Sequence, residues 1–383
     1  MKSRLLRTPK QKSFFLFGPR GTGKSTWLSS QFPDATRIDL LEDETYNRLL
    51  ARPQDLSRLL KPATAGHAGQ PIIIDEVQKI PALLDEVHRL IEKDRRVFIL
   101  TGSSARKLRK TGANLLAGRA LTFQMFPFTS VEMGQDFDLR KALRHGTLPS
   151  LLTEPDAGKF LQSYVRTYLK EEIVQEGLTR NIQAFSRFLE AASFSQATPL
   201  VKSRVAQDCH VERKVVEDYF TILEDLLLSF SLPVFSRRAK RELIHKQKFF
   251  FFDCGIFNAL RPRGPLDSET EAAGVALESL VAQEIRALNS CLDWGYQMYH
   301  WRSKSKKEVD LVLYGPRGLW AIEVKSSSRL RPGDLDGLRL FMQDYPEARA
   351  LCIHGGPSAG MEDGIELLPA ADFFSRQIEI LGS

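Results

Sequence analysis

Two groups of residues in this chain have the types and spacing for phosphate chemistry. The first is Gly18-x-x-x-x-Gly23-Lys24-Ser25 in SFFLFGPRGTGKST, residues 13–26. Glycines let a backbone wrap a phosphate with successive N–H groups turned inward, and the N-terminus of a following helix adds partial positive charge. In this pattern Lys24 reaches the β- and γ-phosphates of a nucleotide and Ser25 ligates Mg²⁺. The second group is Asp310, Glu323 and Lys325 in EVDLVLYGPRGLWAIEVKSS, residues 308–327. Two or three carboxylates can hold Mg²⁺, which activates water and neutralises a phosphodiester under attack. Lys325 can then position the nucleophile or stabilise the developing charge. The bland alternatives are a Gly-rich turn and the solvated edge of a hairpin.

The elements that must position these groups are legible. An apolar strand runs into the glycine loop and a helical segment follows it. PIIIDEVQKIP, residues 71–81, reads as a buried strand ending in Asp75 and Glu76. Asp75 at the strand end can hold the hydrated Mg²⁺, and Glu76 can orient and deprotonate the attacking water. About fifty residues separate the two motifs, which leaves room for one strand around residues 36–40. A further strand at residues 97–101 leads to Gly102, Ser103 and Ser104. Either serine could bond the γ-phosphate or the water, or belong to a simple turn. In NLLAGRALTFQMFPF, residues 114–128, Arg119 stands where an arginine finger would lie, in cis or in a neighbouring subunit's site. A structural salt bridge is the competing reading.

The C-terminal group needs a hairpin and a helix. GPRG, residues 315–318, is a turn signal between alternating runs. A two- or four-residue loop pairs Tyr314 with Leu319, Asp310 with Glu323 and Glu308 with Lys325; a three- or five-residue loop would not. Alternation then puts Val309, Leu311, Leu313, Trp320, Ile322 and Val324 on a core face and all four charged residues on the other. Asp310 and Glu323 would oppose each other, destabilising by up to ~1 kcal/mol unless a cation intervenes. In the helix GVALESLVAQEIRAL, residues 274–288, Glu278 and Glu284 both sit in apolar surroundings. A carboxylate there is costly unless paired or metal-bound, and periodicity does not separate the two.

At 383 residues the chain is too long for one typical core, so two or three domains are expected. Its 43% hydrophobic and 26% charged content is that of an ordinary soluble globular protein. A net charge of +7 permits a polyanionic partner without requiring one. Cys209, Cys254, Cys291 and Cys352 lack Cys-x-x-Cys spacing, which argues against a zinc site or disulfide framework and suits the cytoplasm. The first apolar run, residues 14–17, is too short for a signal peptide, and no stretch approaches the roughly 20 apolar residues of a membrane span.

The middle of the chain is expected to be helical over residues 140–177, as a lid or connector. SRVAQDCHVERKVVEDYFTILEDLL, residues 203–227, reads as a helix-turn-helix, with Val215, Tyr219, Ile222 and Leu226 on one face. Its second helix opens with Glu212, Arg213, Lys214, Glu217 and Asp218. That start is net acidic, so a structural winged-helix module is favoured over a sequence-specific DNA reader. Arg237, Arg238, Lys240, Arg241, Lys246 and Lys248 stand against one acid, Glu242. RSKSKK, residues 302–307, follows Tyr299, His300 and Trp301. Such clusters could bind phosphates non-specifically, or form a solvated face.

The phosphate loop, IIIDE, LTGSS, LLAGR and FPF resemble the AAA+ ATPases. More narrowly, nearly the whole chain is similar to a bacterial and archaeal group with this ATPase at the N-terminus and a nuclease-fold domain at the C-terminus. The resemblance implies a five-stranded parallel sheet between helices. It implies that Gly18, Pro19, Arg20, Gly21, Thr22, Gly23, Lys24, Ser25 and Thr26 hold ATP, with Asp75 on Mg²⁺ and Glu76 as catalytic base. Ser103 or Ser104 would sense the γ-phosphate and Arg119 would be the finger. The later helix, the hairpin and a strand at residues 350–354 resemble the restriction-endonuclease fold. Its PD-(D/E)xK signature matches at Glu278, Asp310, Glu323 and Lys325, with Val309 in place of the Pro; the alignment favours Glu278 over Glu284. Glu212 departs from the family's small polar cap.

The expected architecture is therefore α/β. An AAA+ P-loop ATPase with a parallel sheet spans residues 1–140, a helical lid or connector 141–177, a winged-helix-like module 178–248, and a restriction-endonuclease-like α/β domain 249–383. The expected function is ATP hydrolysis coupled to a Mg²⁺-dependent, DNA-directed nuclease-like module. The alternatives are a regulatory ATPase whose nuclease fold is only a binding platform, and an oligomeric motor on branched DNA using Arg119 in trans.

Overall fold

Five short apolar runs become one parallel sheet: β1 (Ser13–Phe17), β2 (Thr36–Asp39), β3 (Ile72–Asp75), β4 (Phe98–Gly102) and β5 (Ala120–Gln124), in the order β2-β3-β4-β1-β5. The structure is a computed structural model and describes residues 2–63, 70–110, 116, 118–169, 173, 181–262, 264 and 268–382. Parallel strands are covered on both faces, which is why β1, β3 and β4 read as nearly continuous Phe, Ile and Leu. Phe15, Phe17, Ile72, Ile74, Phe98 and Leu100 point to one face, where helix Leu83–Asp94 adds Leu83, Val87 and Leu90. Phe14 faces the other way, edge-on to Phe123. The strand expected around residues 36–40 and the one expected at 97–101 are both present. This sheet belongs to a compact unit of Leu6–Pro127 together with Leu223–Leu228.

The rest of the chain forms a second compact unit, in which Phe128 is already included. The expected boundaries at residues 140/141 and 248/249 both lie within this unit. The second falls inside β8 (Lys248–Phe251), which pairs antiparallel with β7 (Ser229–Leu232) and with β6 (Thr198–Pro199). Helices Leu139–His145 and Ala157–Ser163 lie in the expected helical stretch, and the second runs on through a π-helical turn, Tyr164–Tyr168. Residues 170–172 and 174–177 of that stretch are outside the described residues. The expected helix-turn-helix is formed by Lys202–Cys209 and Arg213–Asp225, with His210 turning in the left-handed region. Its buried stripe is wider than expected. Val216, Phe220 and Leu223 are buried along with Tyr219, Ile222 and Leu226, while Val215 is only half-buried.

The C-terminal part is a six-stranded mixed sheet. Its strands are β9 (Gln297–Arg302), β10 (Glu308–Gly315), β11 (Gly318–Lys325), β12 (Arg349–His354), β13 (Gly360–Glu362) and β14 (Ile365–Pro369), in the order β13-β14-β12-β11-β10-β9. The β10–β11 loop is the two-residue turn Pro316–Arg317, and Tyr314 pairs with Leu319 as expected. Two features depart from the expected hairpin. A bulge between Val309 and Val312, where β10 pairs with β9, rotates Val309 to the opposite face from Leu311. The second face is also not simply charged. Val309, Val312, Leu319 and Ala321 pack there with Trp301 and Cys352 under helix Asp336–Asp344. Leu311, Leu313, Trp320, Ile322 and Val324 pack on the first face against helices Glu269–Cys291 and Ala370–Gly382. A sheet covered on both faces has little room for charge, and the charged residues of β10 and β11, Glu308, Asp310, Glu323 and Lys325, lie at one end of that strand pair.

Among the described residues no helix is long and apolar enough to cross a membrane. All four cysteines are free thiols.

Candidate functional sites

The N-terminal site is built at the C-terminal ends of β1, β3 and β4. Gly23 precedes helix Lys24–Gln31 at φ 83°, a conformation that favours glycine, and releases the helix N-terminus toward the loop. Lys24 is buried and donates to the carbonyls of Gly18 at 2.6 Å and Pro19 at 3.2 Å. The Thr22 hydroxyl braces the same loop by donating to Pro19 O at 2.7 Å. The Ser25 hydroxyl lies 3.3 Å from Asp75 Oδ2. A hydroxyl and a carboxylate so placed are the hard oxygen ligands that Mg²⁺ takes, so the residues present fit that ion. The Thr101 hydroxyl donates to Asp75 Oδ1, which also accepts from the Glu76 N–H at 3.1 Å.

Glu76 stands in the left-handed region at φ 58°, strain on the order of 1 kcal/mol that structures retain mainly at functional sites. Its carboxylate accepts from the Gln78 amide, which also donates to Ser103 Oγ at 3.2 Å. Gln78 is buried, and Gly102 makes room for it: a Cβ on Gly102 would lie 2.2 Å from Gln78 Oε1. Ser104 instead accepts from Arg106 N–H at 3.4 Å, at the start of the next helix. The two serines left open by sequence are thus distinguished: Ser103 is linked to Glu76 and Ser104 is not. Arg119 is half-exposed and forms an ion pair with Glu92 of helix Leu83–Asp94, whose carboxyl it holds below the ordinary value. Pro19, Arg20, Gly21 and Thr26 are in or beside the loop as expected. Gln78 and Thr101 were not singled out from sequence. The available signal was a polar side chain next to an acidic strand end.

The C-terminal site lies where β10 and β11 part. Backbone pairing reaches Leu311 and Ile322, and beyond it Asp310 Oδ2 accepts from the Val324 N–H at 2.9 Å. The strand pairing thus stops one residue short of the expected opposition of Asp310 and Glu323. Glu323 is buried and paired with Lys325. Between Asp310 and Glu278 stands a residue that sequence placed elsewhere. Lys248 was read as part of an exposed basic run, yet it is 1% exposed. Its ammonium donates to Asp310 Oδ1 at 2.8 Å and lies 2.6 Å from Glu278 Oε1 and 3.0 Å from Glu308 Oε1. Glu308 is also paired with Arg302 at 2.9 Å. A lone Lys opening the apolar run KFFFF was the signal, because a buried ammonium needs carboxylate partners.

Glu284 is elsewhere. It lies six residues beyond Glu278, hence roughly 120° away around the helix. There it accepts from Ser130 N–H at 2.8 Å and from Gln377 Nε2 at 2.8 Å. Burial pushes its carboxyl up to about 8, against those hydrogen bonds. Burial also raises Glu278 to about 8, helped by Asp310 and opposed by Lys248. For Lys248, burial disfavours the charge, but Asp310, Glu278 and Glu308 outweigh it and hold the ammonium well above its ordinary value. Burial likewise works against Asp310, yet Lys248 and Lys325 keep it below its ordinary value.

Glu278, Asp310 and Glu323 do not make a cradle that fits a divalent ion. Both Asp310 oxygens are engaged, by Lys248 and by Val324, and Glu278 closes on the same ammonium. Among the described residues no group of three His, Cys, Asp or Glu is arranged to hold a metal. Among the described residues Glu323 Oε2 is buried without a hydrogen-bond partner.

The basic and aromatic clusters also sort themselves. His300 and Trp301 are fully buried, so they offer no surface to a base. Arg241 is paired with Asp344, Lys304 with Glu242 and Lys307 with Asp336. Arg237, Arg238, Lys240, Lys246 and Lys306 are exposed, and Arg237 stacks over Tyr314 at 4.7 Å.

Residues 10–134 match a family model described as an AAA domain. Residues 136–267 and 273–373 match two domains of unknown function, DUF8612 and DUF4143. No curated protein matches the chain. Among solved structures, the ORC1 protein of Aeropyrum pernix in complex with DNA is 14% identical, with 66% of this chain and 87% of that one covered, at a TM-score of 0.23. The ADP form of the ORC2 protein from the same organism is 12% identical, covering 72% and 89%, at 0.30. Protein VC1899 of Vibrio cholerae is 13% identical, covering 91% and 98%, at 0.23. Likenesses this slight carry no argument about this chain. The motif geometry and the family match together make residues 10–134 an AAA-type ATPase domain.

Proposed function

We propose that the protein is an ATP-hydrolysing switch whose nucleotide state governs a DNA-directed C-terminal module. The observation that carries this reading is the hydrogen-bonded group at the phosphate loop: Ser25 and Thr101 on Asp75, and Gln78 joining Glu76 to Ser103. On ATP binding, Lys24 exchanges the carbonyls of Gly18 and Pro19 for phosphate oxygens, while N–H groups of residues 20–26 surround the phosphates. Ser25 and Asp75 would hold Mg²⁺, which would neutralise phosphate charge. Glu76 orients the attacking water and takes its proton, Gln78 fixes the Glu76 carboxylate, and Ser103 reports the γ-phosphate. Arg119 stabilises transition-state charge, from a neighbouring copy if the protein assembles.

For the C-terminal module, the buried ammonium among Glu278, Glu308 and Asp310 favours a binding platform. Exposed Arg237, Arg238, Lys240 and Lys306 supply non-specific phosphate contacts. A second reading, Mg²⁺-dependent cleavage using Asp310, Glu323, Lys325 and Glu278, rests on the gathering of those four residues and requires the Lys248 ammonium to withdraw from between Asp310 and Glu278. One gel panel separates the two. Supercoiled, linear, single-stranded and branched DNA are incubated with wild type, Glu76→Gln and Asp310→Ala, with Mg²⁺ or Mn²⁺, with and without ATP. The platform predicts metal-independent DNA binding, slow ATP turnover lost in Glu76→Gln, and no cut product. Cleavage that disappears in Asp310→Ala while ATP turnover persists would replace it with the nuclease.

A further inference from the structure

The acidic end of the C-terminal sheet is held by a lysine. Lys248 comes from β8, Glu278 from helix Glu269–Cys291, and Glu308 and Asp310 from β10, so one ammonium ties three elements together. Four carboxylates, Glu278, Glu308, Asp310 and Glu323, meet three cations, Lys248, Lys325 and Arg302. Without Lys248, three buried or half-buried acids would face one another, with Arg302 and Lys325 as the remaining paired cations among the described residues. His300 is fully buried and its Nε2 contacts Lys246 O at 2.8 Å. Burial and the Lys248 charge lower it to about 4, so it supplies no second cation at neutral pH.

We infer that Lys248 is the resident cation of this cluster: its ammonium fills the place between Asp310 and Glu278 that a divalent metal would take, so the cluster assembles without metal and excludes it. The position is metal-like in what surrounds it, with carboxylate oxygens at 2.6, 2.8 and 3.0 Å and almost no solvent contact. A tethered ammonium has no entropy of binding to lose and needs no metal supply. Divalent ions can enter only if the side chain withdraws.

The test is Mn²⁺ binding to the full chain, read by electron paramagnetic resonance without nucleotide. Asp75→Asn is used throughout to silence the ATP site. The expected result is no site tighter than about 1 mM. Adding Lys248→Met is expected to create a site at least tenfold tighter, which Asp310→Asn then removes. Micromolar Mn²⁺ binding in the Lys248 protein, abolished by Asp310→Asn, would overturn the inference outright. So would a folded Lys248→Met protein that gains no metal. If Lys248→Met folds only when Mn²⁺ is present, the substitution of one cation for the other is demonstrated directly. Lys248→Arg, which keeps the charge, is expected to fold and stay metal-free; metal binding there would also overturn it.

Discussion

Gln78 offers the sharpest test of the ATPase site. Its amide bonds Glu76 and Ser103 together, and these two hydrogen bonds run to the catalytic side of the site rather than to the phosphate loop. A hydrogen bond to a charged group contributes about 1.5–3 kcal/mol. If that energy fixes Glu76 on the attacking water, Gln78→Ala raises the barrier by the same amount, and turnover falls by roughly tenfold to a little over a hundredfold. The KM for ATP should move by less than about threefold, because only the transition state loses an interaction. Gly102→Ala is the independent check. The backbone there tolerates a side chain, but the new Cβ would lie 2.2 Å from Gln78 Oε1 and must displace it. It should reproduce the kcat loss of Gln78→Ala. Phosphate release across an ATP titration, with ADP affinity measured separately, separates kcat from binding. Wild-type turnover in Gln78→Ala would refute the argument. So would a rise, since Gln78 would then be restraining Glu76 rather than aiming it.

Two further outcomes follow from the geometry. Glu284 is held at about 8 by burial, against an ordinary value of 4.5. Its folded form keeps the proton, so its contribution to stability is fully present below about pH 4.5 and lost as pH rises through about 8. Glu284→Gln should flatten the pH dependence of the denaturant midpoint between pH 5 and 9, by a few kcal/mol in all; parallel wild-type and variant profiles would contradict this. Arg119→Ala, if the arginine acts in trans, should cut turnover on the order of 10³-fold only at concentrations where chains associate. Mixing it with Lys24→Ala should restore activity, and unchanged turnover at every concentration would remove the finger.

The sequence by itself determined the N-terminal parallel-sheet fold and singled out most of the candidate residues at its phosphate loop. A phosphate loop and an acidic strand end are local: the residues that act are neighbours of the apolar runs that become strands, so spacing is enough to read them. The hairpin register of β10 and β11 was legible for the same reason, since GPRG and alternation are local signals. Val309 was misread because a bulge depends on the partner strand β9, which alternation along β10 does not contain. Glu278 and Glu284 were separable only once each met its own partners, Lys248 for one and Ser130 and Gln377 for the other. Ser103 and Ser104 are told apart by Gln78, which contacts Ser103 across 25 residues. Lys248 lies 62 residues from Asp310, and the apolar run that it opens, KFFFF, signals burial without naming the carboxylates that meet it. Its charge state and its partners come from chain segments that meet only after β8 packs beside the helix that carries Glu278. Local periodicity fixes which elements form; which charges face each other at their ends is decided by how distant elements pack, and that decision made this acidic end a lysine-centred cluster.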